Sequence, residues 1–222
     1  MPDFPSPNFA DRRGQTPELI VLHYTGMADA ASARTRLCDP TAEVSAHWLI
    51  DEQGGAEALV PEEMRAWHAG AGSWQGREDI NSRSIGIEIA NPGDRPFTAR
   101  QMDALTDLLR QIMVRWHIGP EAVIGHSDMA PGRKIDPGPH FDWARLAREG
   151  LALAPSDGDD LPITESLDQI GYPAADPETR LAAFRLRCRP WAYGPETEDD
   201  RRAAASFASK TRRMRSETTE TS

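Results

Sequence analysis

Cysteine is almost absent from this chain: Cys38 and Cys188 are the only two among 222 residues. They lie far apart and in segments of different composition, which argues against a disulfide framework. Neither sits at a metal-ligand spacing, so both read as small buried apolar residues. Long hydrophobic runs are missing too, since nothing approaches the ~18–20 apolar residues a membrane span requires. The N-terminal stretch M-P-D-F-P-S-P-N-F-A-D-R-R-G lacks the basic region and apolar core of a secretory leader. A cytoplasmic protein is expected on that ground, with the envelope as the alternative if the sequence is a processed form. Positive charge is in deficit: 25 Lys and Arg face 35 Asp and Glu, a net charge of -10. That balance argues against nucleic acid or an anionic membrane surface as partner. Internal repeats are lacking. What remains is 39% hydrophobic and 27% charged, a soluble composition with length for one ordinary domain and something small. A monomer is expected.

The pattern along the chain predicts an α/β fold, a mixed central sheet flanked by helices, followed by a small C-terminal three-helix bundle. Residues 1–17, rich in proline, read as an extended entry segment. The continuous aliphatic run of residues 18–24 reads as a buried strand ending near His23. Ala-rich residues 28–38 look helical, and residues 44–50 read as a strand closed by the turn signal D-E-Q-G-G. Residues 65–83, with several glycines and two tryptophans, read as a surface loop. In the strand 84–90, Ile85, Ile87 and Ile89 face one way and Gly86, Glu88 and Ala90 the other. A lone carboxylate among tiny residues suggests a face kept clear for a ligand. Thr98 and Gln101 form a capping box, and Met102, Leu105, Leu109, Ile112, Met113 and Trp116 follow at helical spacing. Residues 122–124 read as a short strand and 141–151 as a short helix. A change of composition at 154–162 marks a linker, three helical patterns fill 163–209, and residues 210–222, poor in apolar side chains, are expected to be disordered.

Chemistry concentrates in residues 121–138, E-A-V-I-G-H-S-D-M-A-P-G-R-K-I-D-P-G. His126 stands at the end of a predicted strand, and a loop stiffened by prolines and bent by glycines carries Lys134 and Asp136. His23, at another strand end, supplies a second imidazole. Two imidazoles and a carboxylate suit Zn²⁺ with a fourth position left for water, whose pKa zinc lowers to about 7. Spacing alone does not decide between zinc ligands and structural histidines, because no local H-E-x-x-H signature is present.

Five motifs occur in order: V-L-H-Y-T, V-S-A-H-W-L-I-D, R-A-W-H-A-G, N-S-R-S-I-G-I-E-I-A-N and G-H-S-D-M-A-P-G-R-K-I-D-P-G. Together, over residues 15–150, they resemble the zinc-dependent N-acetylmuramoyl-L-alanine amidases of the type 2 amidase family. The resemblance implies one Zn²⁺ held by His23, His126 and Asp136, with Glu88 as general base and Lys134 stabilising the tetrahedral intermediate. The implied reaction is hydrolysis of the amide between N-acetylmuramic acid, or its 1,6-anhydro form, and L-alanine of the stem peptide, in cell-wall recycling or degradation. The substrate would be a muropeptide or peptidoglycan. Some relatives carry a Tyr just before the second-strand His; here that position is Ala46, so the proton work falls to Glu88. Arg65, Trp67, His68 and Asn81 are candidate substrate contacts. The stretch L-A-A-F-R-L-R-C-R-P-W-A-Y-G (181–194) resembles the three-helix peptidoglycan-binding module that some members carry, which implies domains at 18–153 and 163–209. Two other readings stay open: a recognition protein that binds peptidoglycan without cutting it, and a zinc peptidase acting within the stem peptide.

Overall fold

The computed structural model describes residues 4–220. Its centre is a five-stranded sheet in the order β4 (Ala56–Ala58), β3 (Trp48–Ile50), β6 (Ser84–Ile89), β2 (Leu19–Tyr24), β7 (Val123–Gly125). The pairs β3–β6, β6–β2 and β2–β7 are parallel, and only the β3–β4 hairpin is antiparallel. A strand flanked by parallel neighbours is covered on both faces, which is why L-I-V-L in β2 is apolar without alternation. Ile85, Ile87 and Ile89 share one cluster with Met102, Leu105, Leu109 and Ile112 of α3 (Ala99–Trp116). The capping box forms as expected: Thr98 Oγ1 accepts from Gln101 N at 3.2 Å, and Gln101 Oε1 accepts from Thr98 N at 3.0 Å. On the opposite face α1 (Ala30–Leu37) packs Ala33 and Leu37 against Leu49 and Leu59.

The segment read as a strand from residue 44 is regular only over Trp48–Ile50. Ahead of it, the Ser45 N–H donates to Trp67 O and its hydroxyl to Asn8 O, so this stretch braces a loop rather than extending the sheet. The entry segment is pinned as well. Phe9–Ala10 (β1) pairs with Arg65–Ala66 (β5), and the buried Arg12 donates to Glu62 O at 2.9 Å. Residues 65–83, read as a loop, also contain the short helix α2 (Ile80–Arg83). Helical turn α4 (His126–Met129) and helix α5 (Trp143–Arg148) bracket the loop that carries Lys134 and Asp136.

Three C-terminal helices follow: α6 (Ile163–Ile170), α7 (Pro177–Cys188) and α8 (Glu198–Glu220). Leu167, Ile170, Phe184 and Phe207 belong to the same apolar cluster as the sheet and α3, so these helices are joined to the rest of the core. Across that junction Arg187 donates to Asp128 at 2.8 Å, with exposures of 3% and 0%, and lies 4.1 Å from the centre of the Trp143 ring. Tyr172 OH donates to the other Asp128 oxygen at 2.5 Å. The stretch 154–162 has no regular structure, yet α8 holds it: Arg202 pairs with Asp157, Arg201 with Asp160, and Lys210 donates to Ala154 O. The expectation of disorder from residue 210 is corrected over 210–220, where α8 continues to Glu220; residues 221 and 222 lie outside the described region. Few apolar residues were needed, because Thr211 is buried and Arg215 donates to the carbonyls at the end of α6, Gln169 and Ile170.

Candidate metal centre

Strands β2, β6 and β7 are parallel, so their carboxyl ends lie on one edge of the sheet, where α/β folds place their ligands. His23 is the fifth residue of β2, and His126 follows β7 directly. The loop after α4 returns Asp136 to the same edge, held there by Ser127 N–H donating to Asp136 O at 2.9 Å. His23 Nδ1 lies 2.9 Å from His126 Nδ1 and 2.9 Å from Asp136 Oδ2, and His126 Nδ1 lies 3.0 Å from Asp136 Oδ2. All three residues are buried. The atoms form a near-equilateral triangle, close to one face of a zinc tetrahedron, whose edges are roughly 3.3 Å for bonds of about 2.0–2.1 Å.

The donor set tests whether a metal fits. His126 Nε2 lies 2.9 Å from Ala69 O, a pure acceptor, so Nε2 carries the ring proton and Nδ1 presents its lone pair to the triangle. Burial first, and then the charge of His126, lower the His23 pKa to about 4, so a proton is a poor cation for the site at neutral pH. Asp136 supplies the one carboxylate, its Oδ2 within 3.0 Å of both Nδ1 atoms. Two neutral imidazoles and one carboxylate facing each other in a buried place suit a divalent cation.

The ligands open into a cleft of about 590 Å³ whose walls include Tyr24, Trp67, His68, Glu88 and Lys134. Glu88 pairs in register with His23 across β6 and β2, so the two side chains leave the sheet on the same face. Its Oε2 is buried without a hydrogen-bond partner. Burial, reinforced by the charge of Asp136 and opposed by Lys134, raises the Glu88 pKa well above the ordinary value. The structure therefore brings His23, His126, Asp136, Glu88 and Lys134 to one cleft, as the motifs implied.

The four candidate substrate contacts divide. Trp67 and His68 line the cleft. Arg65 stands apart from the cleft lining, its guanidinium committed to Ser82 Oγ at 3.0 Å and Asp79 at 2.9 Å. Asn81 is buried behind the loop, where its Oδ1 accepts from the N–H groups of His68 and Ala69 at 3.1 and 2.8 Å. Gly86 also has another occupant than expected. A Cβ there would lie 2.4 Å from His68 Cγ, so the space is kept clear for an imidazole of the chain itself. Ser84 and Arg133 were not singled out in the sequence. Ser84 Oγ lies 3.2 Å from His68 Nε2, and Arg133 donates to Ala69 O at 2.7 Å. Neither leaves a periodic pattern to read.

The N-acetylmuramoyl-L-alanine amidase family model matches residues 13–139, more than half of the chain. The chain belongs to this family. His23, Glu88, His126, Lys134 and Asp136 all fall inside that range, and the amidase activity foreseen from the motifs stands on it. The amidase is similar to N-acetylmuramoyl-L-alanine amidase AmiD of Escherichia coli, 33% identical over 225 aligned positions, covering 85% of this chain and 80% of AmiD. It is also similar to 1,6-anhydro-N-acetylmuramyl-L-alanine amidase AmpD of Escherichia coli, 36% identical over 160 positions, covering 64% of this chain and 87% of AmpD. Among solved structures, the complex of AmiD with anhydro-N-acetylmuramic acid-L-Ala-D-gamma-Glu-L-Lys superposes with a TM-score of 0.80 at 30% identity, covering 90% of each chain. The superposition therefore extends beyond residues 13–139. Among the described residues no helix is long and apolar enough to cross a membrane.

One stability consequence follows without any metal. Burial, then the charge of Arg12, lower the His47 pKa to about 3, against an unfolded value of 6.5. The unfolded chain binds the extra proton, so the His47 contribution is complete above pH 6.5 and is lost as pH falls towards 3. Between pH 7 and pH 4 the loss is roughly 3 kcal/mol at 1.36 kcal/mol per pKa unit. Urea unfolding of the wild type and His47→Gln at both pH values measures it: the gap between the two proteins shrinks or reverses at pH 4. A gap independent of pH would contradict it.

Proposed function

We propose that this amidase is zinc-dependent and releases the stem peptide from soluble 1,6-anhydro-muropeptides in cell-wall recycling. The observation that carries the reading is the convergence of His23 Nδ1, His126 Nδ1 and Asp136 Oδ2 beside an unpartnered Glu88 carboxyl in an open cleft. Zinc held by those three residues would supply a Lewis acid and lower the pKa of a coordinated water to about 7. Glu88 then takes the water proton and returns it to the departing amine of L-alanine, a task suited to a carboxyl whose pKa lies well above the ordinary value. Lys134 places a fixed positive charge where negative charge develops on the lactyl carbonyl oxygen.

The cleft also has the sign for such a substrate. Arg36, Arg133 and Lys134 line it in a chain of net charge -10. The ligand bound to AmiD has a γ-linked Glu, whose α-carboxylate is left free. A small molecule fits a cleft of this volume, which favours the soluble substrate over polymeric wall.

Incubation with 1,6-anhydro-N-acetylmuramyl-tripeptide, read by mass spectrometry, tests the roles. The wild type yields free anhydro-sugar and intact tripeptide. Glu88→Gln retains zinc and lowers kcat by about 10²–10⁴-fold with KM little changed, as for loss of a general base. Lys134→Met lowers kcat by about 10²–10³-fold, as for loss of an oxyanion donor. Full turnover by Glu88→Gln would remove that residue from the mechanism.

A further inference from the structure

The proton positions behind His23 are fixed by hydrogen-bond chemistry. Ser84 Oγ lies 2.6 Å from Ile80 O, and a carbonyl only accepts, so the single hydroxyl proton points there. Towards His68 Nε2, 3.2 Å away, the same hydroxyl can only accept. His68 therefore carries its proton on Nε2, and its Nδ1 is a lone pair. That lone pair faces His23 Nε2 at 3.0 Å, which makes His23 the donor and places the His23 proton on Nε2. His23 Nδ1 is left bare and directed at Asp136 Oδ2 and His126 Nδ1.

We propose that His68, oriented by Ser84, is the positioning residue that locks His23 in the metal-binding tautomer. This rests on the zinc reading above and adds to it the residue on which one ligand depends. The surrounding structure serves the same end. The His68 ring crosses His23 at 81° with centroids 5.1 Å apart, and it occupies the space left by the missing side chain of Gly86. Asn81 anchors the His68 backbone. The neighbouring carbonyl, Ala69 O, accepts from Nε2 of His126, the other imidazole of the triangle. One short stretch, His68 and Ala69, thus holds the outer nitrogen of both imidazoles, by a side chain in one case and a carbonyl in the other. Groups of this kind fix the tautomer and ring plane of a ligand, and their loss typically weakens metal binding by 10–100-fold.

The test is zinc affinity by competition with a chelating dye, on full-length variants whose fold is checked by circular dichroism. His68→Ala is expected to bind zinc about 10–100-fold more weakly than the wild type. His68→Asn, whose Oδ1 can accept in place of Nδ1, is expected to recover most of that loss. Ser84→Ala frees the His68 ring to switch tautomer and is expected to give a smaller loss, several-fold. Long-range ¹H–¹⁵N spectra of the metal-free wild type should show His23 protonated on Nε2, with a mixture of tautomers in His68→Ala. Wild-type affinity in a folded His68→Ala, equal loss in His68→Asn, or His23 protonated on Nδ1 would each overturn the proposal. A wild type that binds no zinc would instead overturn the metal reading itself, so the two failures are distinguishable.

Discussion

Asp136→Ala is expected to lose stoichiometric zinc and at least about 10³-fold in kcat/KM. Asp136 is the only charged member of the triangle, and its Oδ2 lies within 3.0 Å of both imidazole nitrogens. Without it, two neutral nitrogens face each other across a buried gap with no anion to offset a divalent cation. Lewis-acid stabilisation is worth several kcal/mol, and about 4 kcal/mol corresponds to about 10³ in rate. The scaffold should survive, because the Asp136 backbone carbonyl still accepts from Ser127 N–H. Asp136→Asn keeps the shape and an oxygen donor but not the charge, and should fall between the two. Zinc content by atomic emission and kcat/KM on the anhydro-muropeptide measure the effect. Near-normal zinc and turnover in Asp136→Ala would show that the triangle is not the metal centre.

The second large effect lies outside the cleft. Arg187→Ala is expected to destabilise the protein by about 3–5 kcal/mol, the cost of leaving one partner of a buried ion pair uncompensated. Asp128 is fully buried and accepts from Arg187, Tyr172 OH and Gly125 N–H. It lies two residues beyond His126, within α4. Its stranded charge therefore falls on the turn that carries His126, and zinc affinity should decline with stability. At roughly 2–4 °C per kcal/mol for a chain of this size, Tm falls by about 10 °C. Adding Asp128→Asn removes the stranded charge, so the double variant should be more stable than Arg187→Ala alone. A Tm within a degree or two of wild type for Arg187→Ala would mean that the C-terminal helices do not brace the site.

That junction shows where sequence reasoning stops. The strand before His23 and the α3 stripe were legible because burial on two faces, or on one helical face, writes a local period into the chain. His23, His126, Asp136, Glu88 and Lys134 were legible through the motifs around them. The union of α7 with α4 was not, since Arg187 and Asp128 are 59 residues apart and each, read locally, is an ordinary charged residue. Arg65 and Asn81 illustrate a different limit. Motifs mark residues that matter without saying which way they point, and both turn to Asp79, Ser82 or the His68 loop instead of the cleft. The small residues beside Glu88 read as room for a ligand, but the occupant at Gly86 is His68, 18 positions away, which no local pattern names.

Metal-dependent cleavage of the lactyl–alanine amide is tested by product analysis under control of the metal. The protein is stripped with a chelator and assayed by mass spectrometry on 1,6-anhydro-N-acetylmuramyl-tripeptide and, in parallel, on intact sacculi, before and after one equivalent of zinc is restored. The expected result is no product from the stripped protein, then free anhydro-sugar and intact tripeptide once zinc is returned, with the soluble substrate preferred. Cleavage undiminished after zinc removal, scission within the stem peptide, or no product from a zinc-replete protein would rule out a zinc-dependent amidase of this specificity.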